Sequence, residues 1–448
     1  MKKETNKMAN VIPFNGILYN PKKIDSLADV TTPPYDVINK EEQVYFHNRH
    51  PQNIIRLILG SETNEDNEEN NRYTRAAGFL NKWLSEEILI ADKRPAFYLT
   101  AIDFPVEDKI FRRFGLTALV GLEPFEKGII LPHEKTYSKT KSERLKLIKA
   151  CHANFSPIFS LYSGKIDALN AMEMKAPEIP ADSDFIDGKG HRQRLWKIND
   201  TIIQKSISSA FNDKILYIAD GHHRYETALN YREWVSKNNP DFSPTHPANF
   251  IMMFICSMED PGLIILPAHR LLSGVDNQNL SGFVQKASEY FDITEILAGK
   301  NDTEKTKDLF ISSLRKEELK NKIGVMLKNN NNFYIISPKP GVMKKLFGNE
   351  LSESLMDLDV TILTRLILTE VLGIDQTGLD NENLISYSSS DKEAMENIIS
   401  GKYDMAFILN PTKIEQVQKV AGEGLIMPRK STYFYPKVIT GQVMNKLF

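Results

Sequence analysis

A strand, a glycine turn and a helix follow one another without a spacer near the middle of this chain, and this junction most restricts its fold. The apolar run at residues 215–219 has the composition of a buried strand, and it stops at Asp220 and Gly221. Apolar and aromatic residues then recur at helical spacing to about Val235. Such a junction directs the N–H groups and the positive dipole end of a helix toward any ligand beside the turn.

The first turn of the predicted helix carries an unusual density of charged and titratable side chains. Residues 220–226 read Asp-Gly-His-His-Arg-Tyr-Glu. A helix that only packs against a core has no need of such a first turn. The segment, called the box below, therefore predicts a phosphate or nucleotide site.

The composition limits the class of protein. A chain of 448 residues exceeds one ordinary domain, so two or three compact units are expected. Hydrophobic residues make up 41% and charged residues 25%, as in soluble globular proteins. The net charge of −2 gives no basic field for a nucleic-acid partner.

The location follows from what the sequence does not contain. The basic start of the chain is not followed by an apolar run of signal-peptide length. No stretch reaches the roughly 18 apolar residues of a membrane helix, so no membrane partner is expected. The two cysteines, Cys151 and Cys256, lie in apolar surroundings and are predicted to be buried free thiols. Together these features predict a cytoplasmic protein.

Two polar runs, residues 61–72 and 299–307, interrupt the apolar pattern. We expect an N-terminal α/β region at residues 1–120, a central region at 121–298 and a C-terminal α+β region at 299–448. Predicted helices and strands alternate irregularly. This order favours an α+β class with mixed sheets and helices over a doubly wound sheet.

A second candidate segment, residues 131–144, combines acid–base groups with cations and hydroxyls. His133 and Glu134 are suited to acid–base work. The phosphate-binding candidates here are Lys135, Thr136, Lys139, Lys141 and Arg144. Lysines with hydroxyls at a helix start can wrap phosphates and hold the water shell of a magnesium ion. A solvated basic helix face is the alternative.

Two more segments have compositions that plain loops rarely need. Residues 33–38, Pro-Pro-Tyr-Asp-Val-Ile, form either a rigid structural turn or one that delivers a tyrosine and an aspartate to a site. Residues 427–437 hold three cations and three aromatic rings close to the C-terminus. They are either an aromatic edge strand or a lid over an anionic ligand, with Lys430 and Ser431 as the candidate contacts.

These segments also carry a resemblance that runs nearly end to end. The matching residues are 13–16, 33–38, 132–136, 144–147, 154–157, 220–229, 267–271, 358–363, 410–412 and 427–437. In this combination the chain resembles the bacterial and archaeal family known as domain of unknown function 1015. The resemblance implies no settled activity.

A local resemblance concerns the box alone, which is similar to the nucleotide-binding box of the ParB/sulfiredoxin superfamily, including ParB-like free-serine kinases. It implies a ParB/sulfiredoxin-like core with additional N- and C-terminal α/β elements. It also implies that residues 221–224, which include Gly221 and Arg224, cradle nucleotide phosphates. Asp220 and Glu226 are then available for metal or proton handling. The box lacks the cysteine of sulfiredoxins, so their redox chemistry is not supported.

Phosphoryl transfer fits the box best, because it needs positioning, cation clamps and a group that receives a proton. His222 and His223 lie four and three residues before Glu226, so either can share a helical face with that carboxylate. The catalytic candidates are Asp220, His222, His223, Glu226, His133 and Glu134. The metal candidates are Glu134, Asp220 and Glu226.

The sequence thus predicts a phosphotransferase that uses ATP, ADP or another nucleotide with Mg²⁺ and acts on a small hydroxylated metabolite, free serine first. A metal-dependent phosphohydrolase of a phosphorylated metabolite is one alternative, although adjacent histidines on a helix diverge by roughly 100° and share a metal poorly. A non-enzymatic nucleotide-gated binding protein is another. In the last alternative the box is purely structural. The oligomeric state is left open.

Overall fold

The computed structural model describes residues 9–136, 138–297, 303–316, 321–330 and 332–448, except for the side chains of residues 138, 139 and 303. The chain forms two compact units. The first consists of Met1–Pro132, Thr136–Ile264 and Pro436–Phe448. The second consists of His133–Lys135 and Ile265–Tyr435. Each unit is described separately below.

This division differs from the three consecutive regions expected from the sequence. Strands from residues 97–121 and 250–257 pair in one sheet, so the expected boundary at residue 120 falls inside a hydrogen-bonded structure. The C-terminal residues return to the first unit. Polar runs mark exposed loops whether or not a compact unit ends there, which explains why composition misplaced the boundaries.

The strands follow in chain order. They are β1 Val11–Ile12, β2 Ile17–Tyr19, β3 Leu89–Ala91, β4 Phe97–Val106, β5 Lys109–Gly121, β6 Ile130–Leu131, β7 Ala153–Asn154, β8 Ile158–Tyr162, β9 Ser183–Ile186, β10 Arg192–Ile198, β11 Leu216–Asp220, β12 Phe250–Ser257, β13 Ile264–Leu266, β14 His269–Leu272, β15 Phe291–Ile296, β16 Ile323–Leu327, β17 Phe333–Pro338, β18 Ile385–Ser388, β19 Met405–Ile408, β20 Tyr433–Tyr435 and β21 Asn445–Lys446.

The α-helices are α1 Leu27–Val30, α2 Lys40–Arg49, α3 Ile55–Ile58, α4 Arg72–Ser85, α5 Ser138–Cys151, α6 Asp167–Lys175, α7 Thr201–Ala210, α8 His222–Asn238, α9 Asn277–Ala287, α10 Thr303–Arg315, α11 Val342–Phe347, α12 Glu353–Met356, α13 Asp359–Ile362, α14 Gln376–Leu379, α15 Asp391–Ile399 and α16 Ile414–Gly422. Short 3₁₀ helices lie at Tyr35–Val37, Phe125–Lys127, Ala176–Glu178 and Pro247–Asn249, and a π-helix continues α13 over Leu363–Val371.

The first unit is built on a mixed sheet in the order β6-β11-β8-β12-β5-β4-β10-β9, with β1 paired to β5. β11 is parallel to β6 and antiparallel to β8, and β12 is parallel to β8. Fully buried residues such as Phe97, Leu116 and Ile255 form its core. A smaller cluster, which includes Ile148 of α5 and Tyr231 of α8, joins these two helices next to the box.

The second unit contains an antiparallel sheet of six strands in the order β15-β17-β16-β19-β14-β18. Its core includes Leu271, Phe310 and Ile408. The mixed α+β class predicted from the sequence is confirmed, because both units combine sheets with helices and neither shows the regular order of a doubly wound fold.

Two smaller expectations concern the cysteines and the membrane. Cys151 and Cys256 are both buried free thiols, as predicted, and burial raises the pKa of Cys151 to about 12. Among the helices of the described residues, none is both long enough and apolar enough to cross a bilayer.

Candidate functional site

The predicted strand–turn–helix junction is present in the first unit. β11 ends at Asp220, and its pairing with β8 shifts register between Ile218 and Asp220. Such an irregularity bends a strand and re-aims the side chain that follows. Gly221 then adopts φ 96° and ψ 26°, a left-handed conformation, and α8 begins at His222.

Glycine is required at position 221 for two reasons. A positive φ strains any residue with a Cβ atom. In addition, a Cβ built on Gly221 would lie 2.9 Å from Nε of Arg224. The guanidinium of Arg224 therefore packs directly against the backbone of the turn at Gly221.

The N-terminal end of α8 has the properties of an anion site. The helix has 17 residues, and no side chain in the described part of the chain caps its start. The first-turn N–H groups of an α-helix have no intrahelical acceptors, and the dipole adds partial positive charge there. This end of α8 can therefore accept phosphate oxygens.

Asp220 is held between two cations, an arrangement called the Asp220 cluster below. Its Oδ2 accepts a hydrogen bond from Arg224 Nη2 at 2.5 Å, and Oδ1 accepts one from Lys437 Nζ. All three side chains are only 12–13% exposed. Burial raises the pKa of Asp220, but Lys437 and Arg224 outweigh burial and hold that pKa well below its usual value. The cluster therefore carries one net positive charge beside the helix start.

The geometry changes the role expected of Arg224. Its Nη1 donates to the carbonyl oxygen of Pro157, while Nη2 is bound to Asp220. Both Nη atoms, which together could make a bidentate contact with a phosphate, are thus already engaged within the protein. In this arrangement Arg224 fixes the turn, while its charge still contributes to the positive potential of the cluster.

Glu226 forms a second cluster one turn along α8, called the Glu226 cluster below. Thr136 Oγ1 donates to Glu226 Oε1 at 2.7 Å, and Lys141 Nζ donates to Oε2 at 2.5 Å. The Lys141 and Glu226 side chains are 25% and 26% exposed. The structure thus brings two candidates of the second segment to the box. The side chain of Lys139 lies outside the described residues.

The two adjacent histidines face different surroundings. His222 is buried, and a charge on its ring would act on Asp220. His223 is half-buried. Burial lowers its pKa, which nearby Asp36 and Glu226 partly restore and Lys141 and Arg224 lower further. His223 is therefore a largely neutral imidazole at pH 7 and is able to accept a proton.

The candidates before Thr136 belong to the second unit. His133 is fully buried, with Nε2 3.0 Å from Thr432 Oγ1, and its carbonyl oxygen accepts the N–H of Met427 at 2.9 Å. Glu134 is partly exposed, and Lys135 is exposed. Burial lowers the pKa of Arg270 to about 10, an effect that Tyr387 and Glu134 oppose.

The C-terminal candidates Lys430 and Ser431 also belong to the second unit. Lys430 is exposed and has a φ of 57°. Ser431 is buried, its hydroxyl donates to the carbonyl oxygen of Pro428 at 2.5 Å, and its own carbonyl accepts a bond from Thr412. The hydroxyl of Ser431 is therefore used within the segment.

The metal candidates do not form a metal site by themselves. Within the described ranges, no group of three or more histidine, cysteine, aspartate or glutamate residues is placed to hold an ion. Asp220 and Glu226 are both bound to cations. A metal ion would have to displace those cations, so the residues present do not fit a protein-held metal.

Three residues were not among the chosen candidates although the sequence pointed toward them. Tyr35 and Asp36 come from the double-proline turn, and the ring of Tyr35 lies 4.0 Å from the guanidinium carbon of Arg144. Lys437 comes from the C-terminal basic and aromatic run. A rigid turn that delivers polar groups was the available signal for the first two.

The comparisons with known proteins settle the family. The model of the family described as "Protein of unknown function (DUF1015)" matches residues 11–361. The chain belongs to this DUF1015 family. No curated protein matches the chain.

Solved structures give remote similarities. A conserved hypothetical protein from Pyrococcus furiosus is 13% identical, with a TM-score of 0.34, over 74% of this chain and 95% of that one. A free serine kinase in complex with AMP is 12% identical, with a TM-score of 0.32, over 71% and 86%. SbnI with a C-terminal truncation, from Staphylococcus aureus, is 11% identical, with a TM-score of 0.34, over 73% and 86%. At these scores the alignments assign no role to any residue.

Proposed function

We propose that this DUF1015 protein is a nucleotide-dependent phosphotransferase that acts on a small hydroxylated metabolite, with ATP or ADP as the phosphoryl donor. The observation that carries the proposal is the start of α8, where Gly221 and the positively charged Asp220 cluster surround an uncapped helix end among the described residues. Backbone N–H groups, a helix dipole and a net positive charge converge there. These are the features that bind phosphate.

The transfer itself asks little covalent chemistry of the protein. The acceptor hydroxyl oxygen forms a bond to the phosphorus, the bond from phosphorus to the bridging oxygen of the nucleotide breaks, and the shortened nucleotide leaves with the electron pair. The hydroxyl proton goes to a base. We assign that base to His223, because burial lowers its pKa and keeps the imidazole neutral at pH 7.

The cations have a separate task. Charge on the transferred group is spread over its equatorial oxygens, and fixed positive charges stabilise it without reorganising. Lys437 and Arg224 supply a preset positive charge beside the helix start. Lys141 is bound to Glu226 near the surface, so it can exchange that partner for a phosphate oxygen.

Magnesium enters this proposal with the nucleotide. Mg²⁺ keeps several waters and is usually held by one or two carboxylates together with substrate phosphates. An ion carried in on the phosphates needs no protein cage, which agrees with the cation-bound state of Asp220 and Glu226. The metal-dependent hydrolase, by contrast, requires the protein to hold the ion, and no observation favours it.

Free serine is the first acceptor to test, because the box resembles that of the ParB-like free-serine kinases. A thermal-shift panel of ATP, ADP, AMP and phosphorylated metabolites, with and without magnesium, measures binding, since a ligand of the native state raises its melting temperature. We expect ATP or ADP to raise it. Stabilisation by phosphometabolites alone would contradict the proposal and favour a hydrolase.

Turnover then separates an enzyme from a nucleotide-gated binding protein. Phosphoserine formation from serine and ATP or ADP is expected in the wild type and should fall by about 10²–10⁴-fold in His223→Gln, the range for general base catalysis. Lys141→Ala should weaken nucleotide binding, while Lys146→Ala, an exposed lysine on the same helix, should not. Nucleotide binding without transfer to serine or to other small alcohols would favour the gated binding protein.

A further inference from the structure

A cavity of about 70 Å³ lies in the first unit beside the box. Its polar wall includes Arg144, Arg224, Thr227 and Asn154, and Tyr35 adds its ring. A buried water needs roughly 10–15 Å³ by this kind of measure, so the cavity has room for a few small groups and not for a nucleotide. The cavity alone is therefore too small to be the proposed nucleotide site.

Arg144 is the least balanced charge in this wall. The residue is only 8% exposed, Nη1 donates to the carbonyl oxygen of Ile58 at 2.9 Å, and the guanidinium stacks on Tyr35. Its chain neighbour Glu143 is paired instead with Arg72 at 3.3 Å. Among the described residues, Arg144 has no ion pair with a carboxylate, and its buried Nε has no hydrogen-bond partner. A buried cation without a counter-charge is costly.

Thr227 provides a second unsatisfied group on the same wall. It lies on α8, is 3% exposed, and within the described part of the chain its Oγ1 has no hydrogen-bond partner. Buried polar groups are nearly always paired, and both residues line one cavity, so a ligand or a water held there can complete them. The remaining wall includes the apolar side chains of Leu147, Phe155 and Ile251, which lower the local polarity and strengthen any ion pair formed inside.

We propose that this cavity binds the carboxylate of the acceptor metabolite, with Arg144 as its counter-ion and Thr227 as a hydrogen-bond donor. The substrate class is then a small hydroxy acid or hydroxy amino acid. Arg144 is thereby assigned to the acceptor and not to the nucleotide. This inference rests on the proposed function only in naming the bound metabolite as the phosphoryl acceptor. The anion site itself is argued from the cavity alone.

The charge favours a carboxylate over a phosphate. Arg144 supplies one positive charge, and Arg224 on the same wall is already bound to Asp220. A singly charged carboxylate balances that one charge, and its two oxygens match the planar guanidinium. A phosphate group would bring up to two negative charges and would need a second cation, and the net positive charge of the Asp220 cluster is already assigned to the nucleotide phosphates. Because Arg224 belongs both to this wall and to the Asp220 cluster, the two sites are neighbours.

The test uses the whole chain and small probes. Glycolate and L-serine carry a hydroxyl and a carboxylate, ethylene glycol and ethanolamine lack the carboxylate, and inorganic phosphate is the competing anion. Glycolate and L-serine should raise the melting temperature of the wild type, and the other three should not. Arg144→Met should weaken glycolate binding by about tenfold or more, as expected for a hydrogen bond to a charged group. Thr227→Val should weaken it less.

Two readouts separate a binding role from a structural one. If Arg144 exists for a ligand, Arg144→Met without ligand should melt at the wild-type temperature or above, because an uncompensated buried charge is removed. Arg192→Met is the matched control, since Arg192 is exposed and pairs with Asp184 at 2.6 Å. It should leave glycolate binding unchanged. If Arg144→Met fails to fold, glycolate binding is compared between Thr227→Val and the wild type alone.

Several results would overturn the inference. They are no stabilisation by either carboxylate probe, Arg144-dependent binding of phosphate in place of glycolate, and unchanged glycolate binding in both variants. If a folded Arg144→Met variant lost the rise in melting temperature that ADP causes, Arg144 would belong to the nucleotide site instead. The proposed function fails separately: if glycolate binds through Arg144 but no nucleotide stabilises the wild type, the carboxylate site stands and the phosphotransferase does not.

Discussion

The Asp220 and Glu226 clusters lie one helical turn apart, and they differ in the burial and the partners of their carboxylates. Asp220 is bound by two cations in a site that is 12–13% exposed, whereas Glu226 is bound by one cation and one hydroxyl in a site that is about a quarter exposed. Separating a buried charge from two fixed partners costs much free energy, whereas an ion pair near the surface is weak and exchanges with solvent. The first cluster therefore holds the turn, and the second can rearrange around a ligand.

The largest effect on stability is expected from Asp220→Ala. The change leaves Arg224 and Lys437 buried without their counter-charge, which typically costs about 3–5 kcal/mol in the free energy of unfolding. Urea denaturation at pH 7 measures it, with Glu226→Gln as the matched carboxylate. A loss below about 1 kcal/mol in Asp220→Ala would break the distinction between the clusters.

The next effect is expected from Gly221→Ala. It adds a Cβ in a left-handed conformation and places it against the fixed guanidinium of Arg224, for a loss of about 1–3 kcal/mol. Gly190 has a φ of 80° and no atom within 4 Å of a built Cβ, so Gly190→Ala carries the conformational cost without the contact. Equal losses in the two variants would show that Arg224 can yield, and that the Asp220 cluster is less rigid than proposed.

Glu226→Gln should change stability little. Exposed ion pairs contribute about 0–1 kcal/mol, and the Lys141 pair is partly exposed. We expect a loss within that range by urea denaturation, together with altered nucleotide binding because Lys141 is released. A loss as large as that of Asp220→Ala would mean that both clusters are structural.

The smallest effect concerns pH and His223. Burial lowers the folded-state pKa of this imidazole, so below its unfolded value of about 6.5 the unfolded chain takes up a proton more readily than the folded one. The wild type should lose stability relative to His223→Gln as the pH falls from 7.5 to 5.5, and the gap should be constant above pH 7.5. The opposite slope would mean that Asp36 and Glu226 outweigh burial and raise the folded-state pKa above its unfolded value.

Local features of the site follow from the sequence, and distant ones do not. The apolar run, Gly221 and the helical spacing after it predict β11, the turn and α8, since each depends on neighbouring residues. The divergence of His222 and His223 follows from helix geometry in the same way. The pair between Lys437 and Asp220 joins residues 217 positions apart, and no local pattern specifies it.

The same limit explains the misplaced boundaries and the role of Arg224. β5 pairs with both β4 and β12, so strands far apart in sequence share one sheet, which composition cannot reveal. The sequence alone predicts that Arg224 contacts phosphate, because it does not reveal that the Nη atoms donate to Pro157 and Asp220. The assignments of His133, Glu134, Lys135, Lys430 and Ser431 to the site stay predictions.

Hydrogen exchange with and without ADP tests the central claim most directly, that the start of α8 binds nucleotide phosphates. First-turn N–H groups lack intrahelical acceptors and exchange unless a ligand takes them. We predict that ADP, at a concentration that raises the melting temperature, slows exchange in a peptide spanning residues 219–226 and leaves α16 unchanged. A bound nucleotide that leaves exchange at residues 219–226 unaltered would contradict the account.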